Sequence, residues 1–483
     1  PSTRESETVE YDPLGDEDIS EARLIETDVP PSSEDGETTS DEPFAEPLAE
    51  PSEPPGTETE PAEEDSLKPD TRAEKEDGVQ ALLSRPRELV MEYGLPDPPL
   101  LDVWRPLGSS AAENGGEADG TSPGVQLPES FGAVLNGVIR AFEQVERKGE
   151  FIPPETYYYL ALLSFFAGEF ESAVAYLQLA LDAGFDPARA FNLLGLTYHL
   201  QGFEAEAETR LQEAAETEGV SPAEQANILT NLALASTYRR APDDAVAYYS
   251  QALEIHRQLG DRQAQAETLS RMGRLCRAKH SLLDASSYHE EALEKWRQLG
   301  DGPKVAFELR LLAAVFRAKG DYAEALDLSQ RALAMNRELG DHREEAINLG
   351  NIGLIYSLEK DLSKALQFFQ AARSLHRKVG NFKGEASNLG NIGNVLFLQG
   401  KTEEALESYL SALKINRQIG YRWGEAVDLS NIGKIQMLEN DLAAAATSLR
   451  GAHRILVELN ATAQAEAIED SLKQIGAHLH VES

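Results

Sequence analysis

The sequence lacks most of the features that mark disulfide-bonded or membrane-spanning proteins. It has one cysteine, Cys276, in 483 residues, so an internal disulfide is excluded. The residues around Cys276 predict an inward position on a helix, where a thiol behaves as a small apolar side chain. No apolar run approaches the roughly 20 residues that cross a bilayer. We therefore expect no membrane insertion.

Motifs for catalysis and metal binding are also missing. The sequence has no Gly-x-x-x-x-Gly-Lys-Ser/Thr loop, no His-Glu-x-x-His pair and no Gly-x-Ser-x-Gly turn. Two of its nine histidines, His256 and His376, occupy equivalent positions of a repeated pattern. Trp296, Asn336 and Asn416 stand at the same position, and a metal site would not tolerate these replacements. We expect neither an enzyme nor a cofactor.

Positive charge is scarce and unevenly placed. The chain has 44 Lys and Arg against 83 Asp and Glu, a net charge of -39. A nucleic-acid partner requires a basic face, so none is expected. Residues 1–80 hold 27 acidic and 5 basic residues, a net of -22, and are rich in proline. This composition predicts a disordered acidic tail over residues 1–84.

What the sequence does contain is a period of forty residues. Five glycines stand at this spacing, each at the centre of a Leu-Gly-Asp triplet or a close variant: Gly260, Gly300, Gly340, Gly380 and Gly420. A fixed period of this size indicates stacked copies of one supersecondary unit.

Alignment of the copies shows what the unit is. One position always holds a small residue: Ala161, Gly195, Ala233, Gly273, Ala313, Gly353, Gly393 and Gly433. Sixteen residues later stands a residue that is usually large: Leu177, Leu211, Tyr249, His289, Ser329, Phe369, Tyr409 and Leu449. Leu and Ala recur at helical spacing on both sides of a short break, which predicts helix, tight turn, helix. The small residues would let the two helices approach closely.

The unit resembles the tetratricopeptide repeat, most clearly from Asn348 to Tyr356 followed by Ala365, Phe369 and Ala372. The 40-residue form is similar to the Leu-Gly-Asn (Pins-type) scaffolds and to bacterial arrays of this family. Eight units start near residues 154, 188, 226, 266, 306, 346, 386 and 426. The resemblance implies an all-α, right-handed solenoid of helical hairpins that binds proteins.

The solenoid is expected over residues 154–460. A capping helix over 129–153 precedes it, and a second capping helix with a short tail, 461–483, follows. Residues 85–108 form an apolar island around Trp104, joined to the solenoid by a linker over 109–128. Such an island is either a docking motif or an arm that packs on its own solenoid.

Four asparagines recur two residues before the small-residue position: Asn231, Asn351, Asn391 and Asn431. An amide can donate to a peptide backbone and accept from it. In the family that the sequence resembles, the first helix lines a concave groove, and an asparagine here commonly holds a bound peptide. The alternative is an asparagine that bonds to its neighbouring repeat.

Arginine takes this place in the fourth unit. Arg271 stands at the asparagine position, Arg274 lies one turn later, and Arg310 stands in the next unit. These side chains would form a positive site suited to carboxylates or phosphates, unless they pair internally with Glu267 and Glu308. A further series ends each second helix, where a cation has a structural role: Arg257, Arg297, Arg337, Arg377 and Arg417.

The sequence thus predicts a cytoplasmic protein-interaction scaffold that holds an extended or helical partner segment, possibly acidic, in its groove. An intramolecular contact between the groove and the acidic tail is a further expectation. The alternatives are a regulatory or sensor subunit of a signalling or polarity complex, and an accessory region of a larger enzyme that begins before Pro1.

Overall fold

The computed structural model describes residues 84–91, 131–149 and 151–481. The tail, its expected contact with the groove, the linker and residues 92–108 of the island lie outside these ranges. Residues 84–91 are helical, and the helices that follow are α1 (Phe131–Arg147), α2 (Pro154–Phe166), α3 (Phe170–Asp182), α4 (Pro187–Leu200), α5 (Glu204–Glu216), α6 (Pro222–Tyr238), α7 (Pro242–Leu259), α8 (Arg262–Ala278), α9 (Leu282–Leu299), α10 (Gly302–Lys319), α11 (Tyr322–Leu339), α12 (His342–Leu358), α13 (Leu362–Lys378), α14 (Phe382–Leu398), α15 (Thr402–Gln418), α16 (Arg422–Leu438), α17 (Leu442–Glu458) and α18 (Thr462–Val481).

Eight helical hairpins follow one another from α2 to α17. Each even-numbered helix from α2 to α16 is the first helix of a repeat and packs on the second helix of its own repeat. From α4 onward each of them also packs on the second helix of the repeat before. The first helices of neighbouring repeats also touch, as α8 touches α10 and α12 touches α14. The expected all-α solenoid of paired helices is confirmed.

The helices lengthen along the chain. The two hairpins from α2 to α5 have helices of 13 or 14 residues, whereas those from α6 to α17 have 17 or 18. The change coincides with the growth of the period from 34 to 40 residues. Extra residues in the longer unit therefore add about one helical turn, of 3.6 residues, to each helix.

The small-residue position is where the two helices of a hairpin come closest. A β-carbon added to Gly353 would lie 2.8 Å from the ring of Phe369, and one added to Gly393 would lie 2.6 Å from the ring of Tyr409. In the fourth hairpin the residue opposite Gly273 is His289, at 2.6 Å by the same construction. The large side chain of the second helix thus occupies the space that the glycine leaves.

The turns between repeats combine a glycine with a polar residue that caps the next helix, as at Gly340 and Asp341. Gly340 ends α11 with φ of 71°, a left-handed conformation that favours glycine. Asp341 then caps α12, and its carboxylate accepts from the backbone N–H groups of Arg343 and Glu344. The spacing of Asp341 and Glu344 suits a capping box, but the carboxylate of Glu344 accepts from Arg310 of the preceding repeat instead.

The N-terminal end of the solenoid is covered by aromatic and aliphatic side chains. Leu89 and Val90 of the helical segment 84–91 are buried in the same cluster as Phe131 of α1. Phe142 of α1 meets Tyr157 of α2 edge to face, with ring centroids 5.4 Å apart. This part of the apolar island therefore packs against the chain's own core.

The opposite end is covered by α18. Its Ala465, Ile468 and Ile475 are buried together with Ile455 and Leu456 of α17. The last hairpin thus has an apolar partner on its outer side, which a terminal repeat requires.

Ion pairs link successive repeats in the C-terminal half. Arg337 Nε lies 2.7 Å from Glu345, Arg377 Nε 2.9 Å from Glu385, and Arg417 Nε 2.9 Å from Glu425. Each pair joins the end of a second helix to the next first helix across eight residues. Arg337, Arg377 and Arg417 of the arginine series therefore have a structural role, and their partner is a carboxylate as well as the helix terminus.

Other buried polar side chains also meet at boundaries between repeats. His289 Nδ1 and Glu308 Oε2 are 2.9 Å apart and both side chains are inaccessible to solvent. Asn416 donates to Asp428 over 2.8 Å, and burial, followed by the charge of Glu425, raises the pKa of Asp428 well above its ordinary value. Burial, with a contribution from Arg343, lowers the pKa of His376 from 6.5 to about 4.

We expect Gly353→Leu to destabilise the protein by roughly 1–3 kcal/mol or more, because the new side chain would overlap Phe369. Glu407→Ala, at an exposed position of α15, is the control and should change the free energy of unfolding by less than about 0.5 kcal/mol. Chemical denaturation measures both. Equal shifts of the two midpoints would show that the helix register is wrong.

His376 should make stability depend on pH. Below pH 6.5 the unfolded histidine takes up a proton that the folded one resists until about pH 4, so the free energy of unfolding falls as the pH drops through this window, by about 3 kcal/mol. The test is to measure urea midpoints of the native protein and of His376→Asn from pH 7 to pH 4. The native midpoint should fall more steeply as the pH drops, so that the two midpoints converge or cross. A constant difference between the two proteins would contradict the pKa assigned to His376.

Candidate functional site

The candidate site is the inner face, defined here as the surface formed by the first helices α2 to α16. The seven predicted side chains come from six of these helices: Asn231 from α6, Arg271 and Arg274 from α8, Arg310 from α10, Asn351 from α12, Asn391 from α14 and Asn431 from α16. Each stands near the middle of its helix. Their partners differ, and so the predicted positions are not equivalent.

Asn231 takes part in an amide network within the solenoid. Its Nδ2 donates to Asn192 Oδ1 of α4 over 2.9 Å and to Asn227 Oδ1 over 3.3 Å. Asn192 in turn donates to Asn227, and Asn231 is fully buried. This arrangement favours the structural interpretation for Asn231, because its amide already joins two repeats.

Asn351 and Asn391 line one small cavity between α12 and α14. The cavity is also lined by Asn388 and by His376, at the end of α13. Asn391 is 7% exposed and Asn351 is 6% exposed. Two amides of the same repeat position thus line one cavity of about 10 Å³, which has room for about one water molecule.

Besides Asn388, another amide lies close to Asn391 on the same helix. Asn394, one turn later, accepts a hydrogen bond of 2.6 Å from the hydroxyl of Tyr409. Asn431 of α16 is fully buried. Asn394 therefore belongs to the contact between the two helices of its hairpin, and Asn431 is as fully buried as Asn231. Asn394 was missed because it does not recur at its repeat position.

Two of the predicted arginines pair within the solenoid. Arg271 lies 3.9 Å from Glu267 on its own helix. Arg310 Nε donates to Glu344 Oε2 over 3.1 Å, and its guanidinium lies over the ring of Phe307 at 4.8 Å. Glu308 pairs with His289 instead, because a residue two positions away on a helix points to the other side.

Arg274 is half-buried, and two arginines of the same helices extend the group. Arg277 follows Arg274 by three residues on α8 and is half-buried, while Arg317 follows Arg310 by seven residues on α10 and is 8% exposed. Intervals of three and seven residues keep side chains near one face of a helix. This spacing, applied to each helix separately, could have found both residues.

In the ranges that the structure describes, no group of three or more His, Cys, Asp or Glu side chains is arranged to hold a metal ion. Within the same ranges no helix is long and apolar enough to cross a membrane. Cys276 is buried, and burial is the main cause that raises the pKa of its thiol.

Comparison with known proteins identifies the repeat. Models of the tetratricopeptide repeat match residues 224–302 and 305–378, and a further model of this repeat matches residues 386–419. A search of curated proteins found no significant match. These models describe the tetratricopeptide repeat in general. The assignment to the 40-residue Leu-Gly-Asn variety stays a prediction.

Several solved structures are similar. The STAND signal-transduction ATPase with a tetratricopeptide repeat sensor from Pyrococcus horikoshii is 17% identical, with 72% of this chain and 55% of that chain covered and a TM-score of 0.48. This chain thus spans about half the length of that protein. A Rap protein complexed with competence and sporulation factor is 15% identical, with 68% and 99% covered and a TM-score of 0.41.

BtubC from P. vanneervenii is 22% identical, with 44% of this chain and 90% of that chain covered and a TM-score of 0.39. Assignment of the repeat rests on the matched models together with the helical hairpins and the close contacts at Gly353 and Gly393. The chain therefore contains tetratricopeptide repeats.

Proposed function

We propose that this chain is a non-catalytic scaffold that holds a segment of a partner protein along its inner face. The observation that carries the proposal is the pair Asn351 and Asn391, whose side chains line one cavity from two adjacent first helices. A peptide backbone offers N–H and C=O groups at short regular intervals. Amides at a constant repeat position match that regularity and do not require a particular side chain of the partner.

Polar side chains pair with one another at the boundaries between repeats, as in Asn416 with Asp428 and His289 with Glu308. A sensor role or an accessory role within a larger enzyme remains compatible with the same repeats, but no contact in the solenoid favours either of them.

The partner segment can be found with a random-peptide display library panned on the full chain. A photo-crosslinking residue at Leu354, which lines the cavity with Asn351 and Asn391, should capture selected peptides. The same residue at Leu410, which is exposed on the second helix α15, should not capture them. Capture from Leu410 alone, or no selected peptide at all, would overturn the proposal.

Binding and stability should separate between asparagine positions. Asn351→Ala with Asn391→Ala should weaken a selected peptide by roughly 1–3 kcal/mol, because two hydrogen bonds to the ligand are lost. Asn231→Ala is the matched control: it should lower the free energy of unfolding by about 1 kcal/mol, since the bond to Asn192 is lost, and leave peptide affinity unchanged. Titration by fluorescence anisotropy and chemical denaturation measure the two effects.

The opposite pattern would refute the assignment. If the double variant unfolds, or if its affinity for the peptide equals that of the native protein, Asn351 and Asn391 serve the solenoid and not the ligand. If Asn231→Ala loses affinity for the peptide while its free energy of unfolding stays that of the native protein, the binding site lies at the third repeat.

A further inference from the structure

The cavity that Asn351 and Asn391 line also has buried polar atoms that the described side chains do not satisfy. His376 of α13 is fully buried, and neither of its ring nitrogens has a hydrogen-bond partner among the described residues. Asn388 of α14 is also buried. Its Nδ2 donates to the backbone carbonyl of Gly384 over 2.9 Å, but its Oδ1 has no partner in the same part of the chain. Because unpaired buried polar atoms cost free energy, these atoms call for a partner in the cavity.

The size of the cavity restricts what that partner can be. Its volume of about 10 Å³ is close to the smallest space that holds one water molecule. Gly350 of α12 also lines the cavity, and a β-carbon added to it would lie 3.3 Å from Asn388 Oδ1. The glycine thus leaves space beside this oxygen, and the space is large enough for a single small molecule only.

The lining of the cavity is uncharged. None of the residues around it is Asp, Glu, Lys or Arg. Burial is the main cause that lowers the pKa of His376 to about 4, so at pH 7 its imidazole is neutral and has one donor and one acceptor nitrogen. An ion in this space would have no counter-charge beside it and would cost much free energy. The lining therefore suits a neutral molecule that both donates and accepts.

We propose that this cavity binds one ordered water molecule, which joins His376 of the sixth repeat to Asn388 of the seventh. The water donates to Asn388 Oδ1 and bonds to a ring nitrogen of His376, and the amides of Asn351 and Asn391 are further polar neighbours. A buried water typically makes two to four such bonds. The inference goes beyond the proposed function and does not depend on it, because it concerns the junction of two repeats whether or not a partner segment is bound.

The next boundary between repeats has a direct bond at the equivalent place. Forty residues later, Asn416 stands at the position of His376, and Asp428 stands at the position of Asn388. There Asn416 donates to Asp428 over 2.8 Å. A water between His376 and Asn388 makes the same kind of link, from the end of a second helix to the next first helix, at the boundary where the two side chains do not bond directly.

A dry cavity is the alternative. Cavities that stay dry in proteins are apolar, whereas three asparagines, a serine and a histidine share this one. A dry cavity would also leave the nitrogens of His376 and the oxygen of Asn388 unpaired in the interior. The polarity of the lining therefore favours water.

The test counts the slowly exchanging water molecules of the full chain by oxygen-17 magnetic relaxation dispersion. Gly350→Ala places a methyl group beside Asn388 Oδ1 and should displace the water, so this variant should hold one such water fewer than the native protein. Gly137→Ala is the matched control. It makes the same change on α1, where nothing lies within 4 Å of the added β-carbon, and its count should equal that of the native protein.

A crystal structure of the native full chain locates the molecule without any variant. One density peak should lie within about 2.7–3.2 Å of a ring nitrogen of His376 and of Asn388 Oδ1. Equal water counts in the native protein and Gly350→Ala would overturn the inference. So would a cavity without density, a direct bond between His376 and Asn388, or an anomalous signal that identifies an ion. Each of these outcomes leaves the scaffold proposal standing, since crosslinking at Leu354 decides that proposal.

Discussion

The close approach of two helices at a residue without a large side chain is the contact on which this fold depends. In the sixth hairpin Gly353 packs against the ring of Phe369, and in the seventh Gly393 packs against the ring of Tyr409. In both hairpins the ring occupies the volume where a β-carbon of the glycine would be. The contact fixes how each hairpin closes. It thereby fixes which side of the first helix meets the next repeat and which side forms the inner face.

Charge and polarity divide the inner face along the chain. Amides join α4 to α6 through Asn192 and Asn231, arginines dominate α8 and α10, and asparagines return from α12 to α16. A repeat array can vary these side chains without disturbing the hairpin contact, since that contact uses a different side of the same helix. The physical independence of the two sides is what lets one scaffold carry several kinds of surface.

The hairpins could be predicted from sequence because they depend on contacts within about 20 residues at a constant spacing. The same regularity placed Asn351 and Asn391 on corresponding turns. It could not separate Asn231 from them, since the difference is Asn192, an amide 39 residues earlier whose oxygen accepts from Asn231 across a repeat boundary. Nor could the repeat alignment show that Arg310 would donate a hydrogen bond to Glu344. Alignment gives the position of a side chain but not its partner in the neighbouring repeat.

Boundaries that resemble one another have a consequence for how such a chain changes length. Arg337 with Glu345 and Arg377 with Glu385 join their repeats in the same way, and Asn348 and Asn388 stand at the same place on the first helices that follow. Excision of residues 346–385 would keep the pair Arg337 and Glu345 and would bring Asn388 to the place of Asn348. A duplication of this stretch would likewise create a boundary of a kind already present. The C-terminal half can therefore gain or lose a whole unit through a single recombination event, with each new junction already matched in shape and charge.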